Sequence, residues 1–300
     1  MAAEIAVRWH SRAGQGAITA STALAEILGN NGKFVQSFPD FGAEKRGAPV
    51  VVFNRISSQK IEDASHPTTV DASVLLDVTL IASCEVSPAE LLAGLGKNGL
   101  LLVNSPQKKL RMGVGKIRVF AVDASGIAVR EIGKDIPNVP ILGALVRILG
   151  LAKLENFQKD LAKYLGRHLP PEILEGNLRA FKQGFEDVRK IEVNRAAPNR
   201  KCAILPSWQK IQPGAAITEP GSSRNYATGN WSRQTCEWNS ATCIDCKFCW
   251  PVCPHDAVKI RNGKMVGIDE TKCTACALCV AACPTKPKSL KIVPKKISEI

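Results

Sequence analysis

Eight cysteines fall in two runs of one form. Cys243, Cys246, Cys249 and Cys253 are spaced C-x2-C-x2-C-x3-C ahead of Pro254, and Cys273, Cys276, Cys279 and Cys283 repeat the spacing ahead of Pro284. This is the bacterial pattern for thiolate ligation of iron–sulfur cubanes. Three close thiolates on one loop wrap three irons of a cube, while the fourth cysteine leaves on a helical turn and reaches the other cube. The spacing therefore assigns Cys243, Cys246, Cys249 and Cys283 to one [4Fe–4S] cluster. It assigns Cys273, Cys276, Cys279 and Cys253 to a second. Zinc is the competing reading, but zinc sites draw their ligands from two separated pairs, whereas each run here is one tight group. Cys84, Cys202 and Cys236 lie outside the runs and are expected as buried or incidental thiols.

The two runs form an internal repeat. Val258–Ile260 follows the first and Leu290–Val293 the second, and both read as short strands, so residues 242–300 are expected as a small α+β ferredoxin domain of the bacterial two-cluster type. So small a core needs the clusters as staples. Residues 192–241 carry Pro198, Pro206, Pro213 and Pro220 with several glycines and little periodicity, and read as an extended connector.

Residues 1–191 read as α/β with a mostly parallel sheet covered on both faces. Strands are expected at Ile5–Trp9, Phe34–Phe38, Pro49–Asn54, Val74–Leu76, Val78–Ile81, Gly99–Val103 and Ile117–Val122. Helices are expected over Ala17–Leu28, after Ser87-Pro88, and through residues 140–190.

Of the 300 residues, 45 % are hydrophobic and 22 % charged, which excludes a disordered or collagen-like chain. No apolar run reaches the ~18 residues that span a bilayer, so no membrane partner is expected. Glu4 stands where a signal peptide would carry bases, and a cytoplasmic location is expected. The net charge of +13 points to anionic partners. Aromatics at 5 % argue against nucleic acid. Lys286, Lys288, Lys291, Lys295 and Lys296 could steer an acidic electron carrier.

Gly14-Gln15-Gly16, after a strand and before a helix, places backbone N–H groups where an anion could sit. It fails the dinucleotide fingerprint, because position 19 is Thr and no acid follows about twenty residues on. On the sequence physics alone, a tight strand–helix turn is the better explanation of the glycines.

A wider stretch carries more. Arg8-Trp9-His10-Ser11-Arg12-Ala13-Gly14-Gln15-Gly16, with Ser37-Phe38-Pro39-Asp40-Phe41-Gly42-Ala43-Glu44-Lys45-Arg46-Gly47-Ala48-Pro49, resembles the gamma subunit of 2-oxoacid:ferredoxin oxidoreductases. The double cysteine block resembles their delta subunit, so the chain looks like a fused gamma–delta subunit of the pyruvate or oxalate type. The resemblance implies thiamine pyrophosphate and Mg2+ on alpha and beta partner subunits, oxidative decarboxylation of a 2-oxoacid there, and passage of electrons through the two clusters to an external acidic ferredoxin. This chain has no Gly-Asp-Gly thiamine signature and is expected to supply no catalytic residue itself. The family's first loop usually reads Gly-Arg-Gly-Gly-Gln-Gly. Ser11 and Ala13 depart from it, which puts coenzyme A binding at Gly14 and Gly16 in doubt and keeps oxalate, which needs no acyl acceptor, level with pyruvate. The alternative is a stand-alone ferredoxin-like carrier fused to a ligand-binding domain.

Overall fold

A computed structural model describes residues 4–42, 47–111, 117–194, 207–216, 218–222 and 226–295. The chain divides into two compact units, one running to Arg200 and the other spanning Lys201–Ser298.

The first unit is built on β1 (Ile5–Arg12), whose residues from Ala6 onward are all buried. A strand with neither face in water needs no polar alternation, which explains the mixed run Ala-Val-Arg-Trp-His-Ser-Arg. It pairs antiparallel with β3 (Pro49–Ser57), which in turn pairs antiparallel with β2 (Phe34–Phe41). On its other side β1 pairs parallel with β4 (Val70–Leu75). Parallel pairing continues through β5 (Leu95–Asn104) and β7 (Arg118–Val122), and antiparallel β8 (Arg189–Lys190) closes the edge. The sheet order is β2-β3-β1-β4-β5-β7-β8, with a parallel centre as expected. Two short strands, β6 (Lys109–Arg111) and β9 (Glu192–Asn194), pair apart from it.

Helices cover both faces. α1 (Ala17–Asn30) stops where Gly32 takes a left-handed φ of 81°. α2 (Thr79–Ala82) and α3 (Pro88–Leu92) lie with the cluster around Leu80, Leu91 and Leu101. α3 opens on a capping box between Ser87 and Glu90. α4 (Ala124–Ile132), α5 (Asn138–Leu149), α6 (Leu154–Gly166) and α7 (Pro171–Asp187) join α1 over the opposite face, around Trp9, Leu145, Phe157 and Phe181. α5 and α7 cross at glycines: a Cβ at Gly184 would stand 2.0 Å from the Pro140 carbonyl oxygen. Val78–Ile81, expected as a strand, is largely α2. Asp77 Oδ1 accepts both the backbone N–H and the hydroxyl of Thr79, at 2.9 and 2.6 Å, and turns the chain there.

The second unit pairs β10 (Gln234–Trp238) with β13 (Leu290–Pro294), and β11 (Val258–Arg261) with β12 (Lys264–Ile268). α8 (Leu278–Ala282) carries the end of the second cysteine run. Asn262 and Gly263, with φ of 50° and 72°, form the two-residue turn between β11 and β12 that Asn-Gly favours. Each anticipated strand thus pairs with one not foreseen, β11 with β12 and β13 with β10. β10 lies inside the stretch expected as connector, and residues 207–241 also carry short 3-10 turns such as Thr228–Trp231. The second unit therefore reaches well before residue 242.

Candidate functional site

The two cysteine loops share a backbone rule. Asp245 and Lys247 in the first, and Ala275 and Ala277 in the second, stand two and four residues after the leading cysteine with left-handed φ between 54° and 65°. Non-glycine residues seldom adopt that region, and four of them at matching offsets describe one shape made twice. Alternating right- and left-handed backbone turns successive N–H groups into a concavity that receives anions, as in many iron–sulfur sites.

Cys243, Cys246, Cys249 and Cys283 line one recess with Trp238, Met265 and Leu290. The fourth cysteine of the second run is thus brought to the first three of the first run, which is the crossing that the spacing implies. Cys273 and Cys279 are buried in the core of this unit, Cys253 packs against it, and Cys276 is at the surface. Among the described residues no three His, Cys, Asp or Glu side chains converge as a single metal ion would require. Cysteine loops of this backbone shape suit a larger anionic group, the cubane with its thiolates.

Polar and sulfur atoms approach several of the cysteine sulfurs. The Ala257 N–H reaches Cys253 Sγ at 3.3 Å, and Thr285 Oγ1 stands 3.2 Å from Cys283 Sγ. Cys236 Sγ lies 3.6 Å from Cys279 Sγ, and Met265 Sδ 3.7 Å from Cys249 Sγ. Burial pushes the Cys249 thiol up to about 11. The contact between the two thiols draws Cys279 down to about 7 and drives Cys236 upward. Asp245 accepts the Met265 N–H at 2.9 Å, and that bond, followed by Lys247, holds its carboxyl below the ordinary range. Cys236 and Met265 carried no signal in the sequence, since neither belongs to a run.

The steering lysines are partly committed elsewhere. Lys288 donates to the carbonyls of Val280, Ala281 and Cys283 at the end of α8, and Lys291 pairs with Glu237 at 2.8 Å. Lys286 is exposed, and Lys296 is outside the described residues. The surface of the first cysteine loop is apolar instead: Ile244, Phe248, Trp250 and Val252 are all exposed.

In the first unit, Gly14 and Gly16 sit at the carboxyl end of β1 with φ of 97° and 79°. A Cβ at Gly16 would meet Asn138 Nδ2 at 2.5 Å, so the glycine is required by both conformation and space. No side chain caps α1 and no acid lies in its first turn, leaving its amino end open to an anion. Gln15 fixes the loop: its Oε1 accepts the Arg12 N–H at 2.9 Å and its Nε2 donates to Asp77 at 2.6 Å. Arg12 is buried and reaches Thr79, Gly47 and Glu85. Ser11 and Ala13 have ordinary backbone angles, and Ser11 is 1 % exposed within β1. Cys84, expected as an incidental thiol, is disulfide-bonded, and Cys202 lies outside the described residues.

A doubly covered α/β unit joined to a double cysteine-loop unit defines the class of iron–sulfur oxidoreductase subunits. Residues 6–187 match the family described as pyruvate ferredoxin/flavodoxin oxidoreductase, and residues 237–290 match a 4Fe-4S dicluster domain. The chain belongs to the pyruvate ferredoxin/flavodoxin oxidoreductase family, as a subunit of a 2-oxoacid:ferredoxin oxidoreductase. The pyruvate synthase subunit PorC of Thermotoga maritima is 44 % identical over 188 residues, covering 94 % of that protein and 61 % of this chain. The common gamma subunit of the pyruvate/ketoisovalerate oxidoreductases of Thermococcus kodakarensis is 37 % identical over 187 residues, covering 95 % of it and 60 % of this chain. The crystal structure of PORC from Thermotoga maritima matches with a TM-score of 0.53 and 40 % identity, over 98 % of that chain and 62 % of this one.

Proposed function

We propose that this chain is the electron exit of a pyruvate-oxidising complex. Thiamine pyrophosphate and Mg2+ would lie on partner alpha and beta subunits, and an external acidic ferredoxin would take the electrons. The observation that carries the reading is the recess where Cys283 of the second run meets Cys243, Cys246 and Cys249 of the first. With Cys253, Cys273, Cys276 and Cys279 holding the other cluster, crossed ligation ties both halves into one body and keeps the clusters close. Each cubane supplies one-electron carriage at low potential when bound. The residues of this chain hold the thiolates, direct N–H groups at the site, and surround it with Trp238, Met265 and Leu290.

The exposed apolar side chains of the first loop favour docking of that end on a permanent partner subunit, since permanent interfaces are the more apolar ones. Pyruvate is favoured over oxalate by the relatives named above. Two features of the loop support coenzyme A binding: Ser11 is buried in β1, and Ala13 is not among the residues with positive φ, while α1 starts uncapped. We assign that start to the phosphates of coenzyme A.

The test is anaerobic purification of the tagged chain from its host, followed by viologen reduction with pyruvate, 2-oxoglutarate or oxalate, each with and without coenzyme A. Reduction by pyruvate that requires coenzyme A is expected. Reduction by oxalate without it would replace the substrate assignment. No reduction and no co-purifying thiamine-binding chain would favour a stand-alone electron carrier.

A further inference from the structure

The two halves of the second unit use the same device with different chemistry. The strand ahead of each run reaches the third cysteine of the other run. From β12, Met265 Sδ comes within 3.7 Å of Cys249 Sγ, and from β10, Cys236 Sγ comes within 3.6 Å of Cys279 Sγ. A thioether has no proton to give, whereas a thiol donates through S–H. Cys236 is 3 % exposed, so water does not compete for that bond, and the other acceptor in its reach, the Glu237 carbonyl oxygen, is farther away at 3.9 Å.

We propose that Cys236 is a positioning residue for one of the two clusters: its S–H donates to the Cys279 sulfur and raises the reduction potential of the cluster that Cys279 ligates, leaving the other cluster untouched. This rests on the ligation proposed above. When Cys279 binds iron it gives up its proton and becomes an acceptor. Cys236 is outside the ligand set and retains its own. Reduction adds one electron and no proton to a cubane, taking [4Fe–4S]2+ to [4Fe–4S]+. The sulfurs become more negative, the S–H···S bond strengthens, and the reduced form gains relative to the oxidised one. At Cys249 the matching position holds Met265, and no such gain is available there.

The experiment uses the full-length holoprotein purified anaerobically, alongside Cys236→Ala and Cys236→Ser. Iron and sulfide are counted first. Each protein is then titrated with dithionite while the reduced-cluster spin signals are followed, and the S–H stretching band is recorded by infrared in both redox states. With two cubanes present, Cys236→Ala is expected to lower one midpoint only. A net hydrogen bond of ordinary strength corresponds to about a tenfold fall in the reduction equilibrium, or about 59 mV for one electron. Cys236→Ser, which keeps a donor, should recover most of the shift. In the unaltered protein the S–H band should move to lower frequency on reduction. Unchanged midpoints, equal shifts at both clusters, or an S–H band indifferent to reduction would overturn the proposal. So would loss of a whole cluster in both variants, because Cys236 would then be a ligand. An unaltered protein with less iron than two cubanes require would instead refute the ligation on which the proposal stands.

Discussion

His10 sits on β1 with both ring nitrogens lacking a hydrogen-bond partner. Burial, followed by the nearby Arg8 guanidinium, holds it at about 3, against about 6.5 in an unfolded chain. Between those values the unfolded chain binds a proton that the folded one refuses. Its contribution to stability is therefore complete above about pH 6.5 and falls as the pH drops towards 3, by at most about 1.4 kcal/mol per pH unit. His10→Phe should flatten acid unfolding of the first unit across that window, as read by denaturant titration at several pH values; an unchanged slope would assign the acid sensitivity to other groups. Gly16→Ala combines a left-handed φ with the Asn138 clash, and a loss of roughly 1–3 kcal/mol is expected. Pairing it with Asn138→Ala should recover only the part due to the clash. These positions differ in how readable they were. Gly14 and Gly16 stand out in the sequence because glycine before a helix is a known device. The roles of Gln15 and Asp77 emerge only when β4 is laid beside β1, sixty residues away in the chain.

Among the elements, α5 and α7 cross so closely that neither Gly143 nor Gly184 has room for a Cβ. Gly184→Ala would drive a methyl group into the Pro140 carbonyl, and about 1–3 kcal/mol should be lost, measured as a lower melting temperature of the first unit with the second unit's cluster absorbance unchanged. Most elements were legible in the sequence because their apolar runs and stop signals agree. β1, β2, β3, β5, β7, α1 and the α3 capping box fall close to where Ile5–Trp9, Phe34–Phe38, Pro49–Asn54, Gly99–Val103, Ile117–Val122, Ala17–Leu28 and Ser87-Pro88 put them. Val78–Ile81 misled because a short apolar run fits a buried strand and a buried helical turn alike, and Asp77 decides between them through Thr79. β10 was hidden differently. Gln234–Trp238 is five residues long, follows a stretch broken by proline and glycine, and becomes a strand only because β13 supplies its partner. The cysteine runs were legible because their meaning lies in spacing, which the fold does not alter.

At the scale of the whole molecule, the two units are stabilised by different means. The first has a large apolar core on each face of its sheet, while among the described residues four of the eight buried members of the second unit's apolar cluster are cysteines. Anaerobic removal of iron by a chelator should therefore unfold the second unit while the first keeps its far-ultraviolet signature, leaving the apoprotein a single thermal transition, that of the first unit. On the docking proposed for the first cysteine loop, Trp250, 53 % exposed there, is the anchor for a partner subunit. Trp250→Ser should leave the clusters loaded but weaken co-purification of the partner chains at least tenfold; undiminished assembly would exclude that face as the contact. The meeting of Cys283 with Cys243, Cys246 and Cys249 also sets a timetable for biosynthesis. A ribosome that has released the first run has delivered only three of the four sulfurs its recess requires, and thirty more residues must emerge from the exit tunnel before the fourth arrives. Iron offered during that interval can be held only provisionally. On the ligation proposed above, secure insertion of the first cube therefore waits until the second run has emerged.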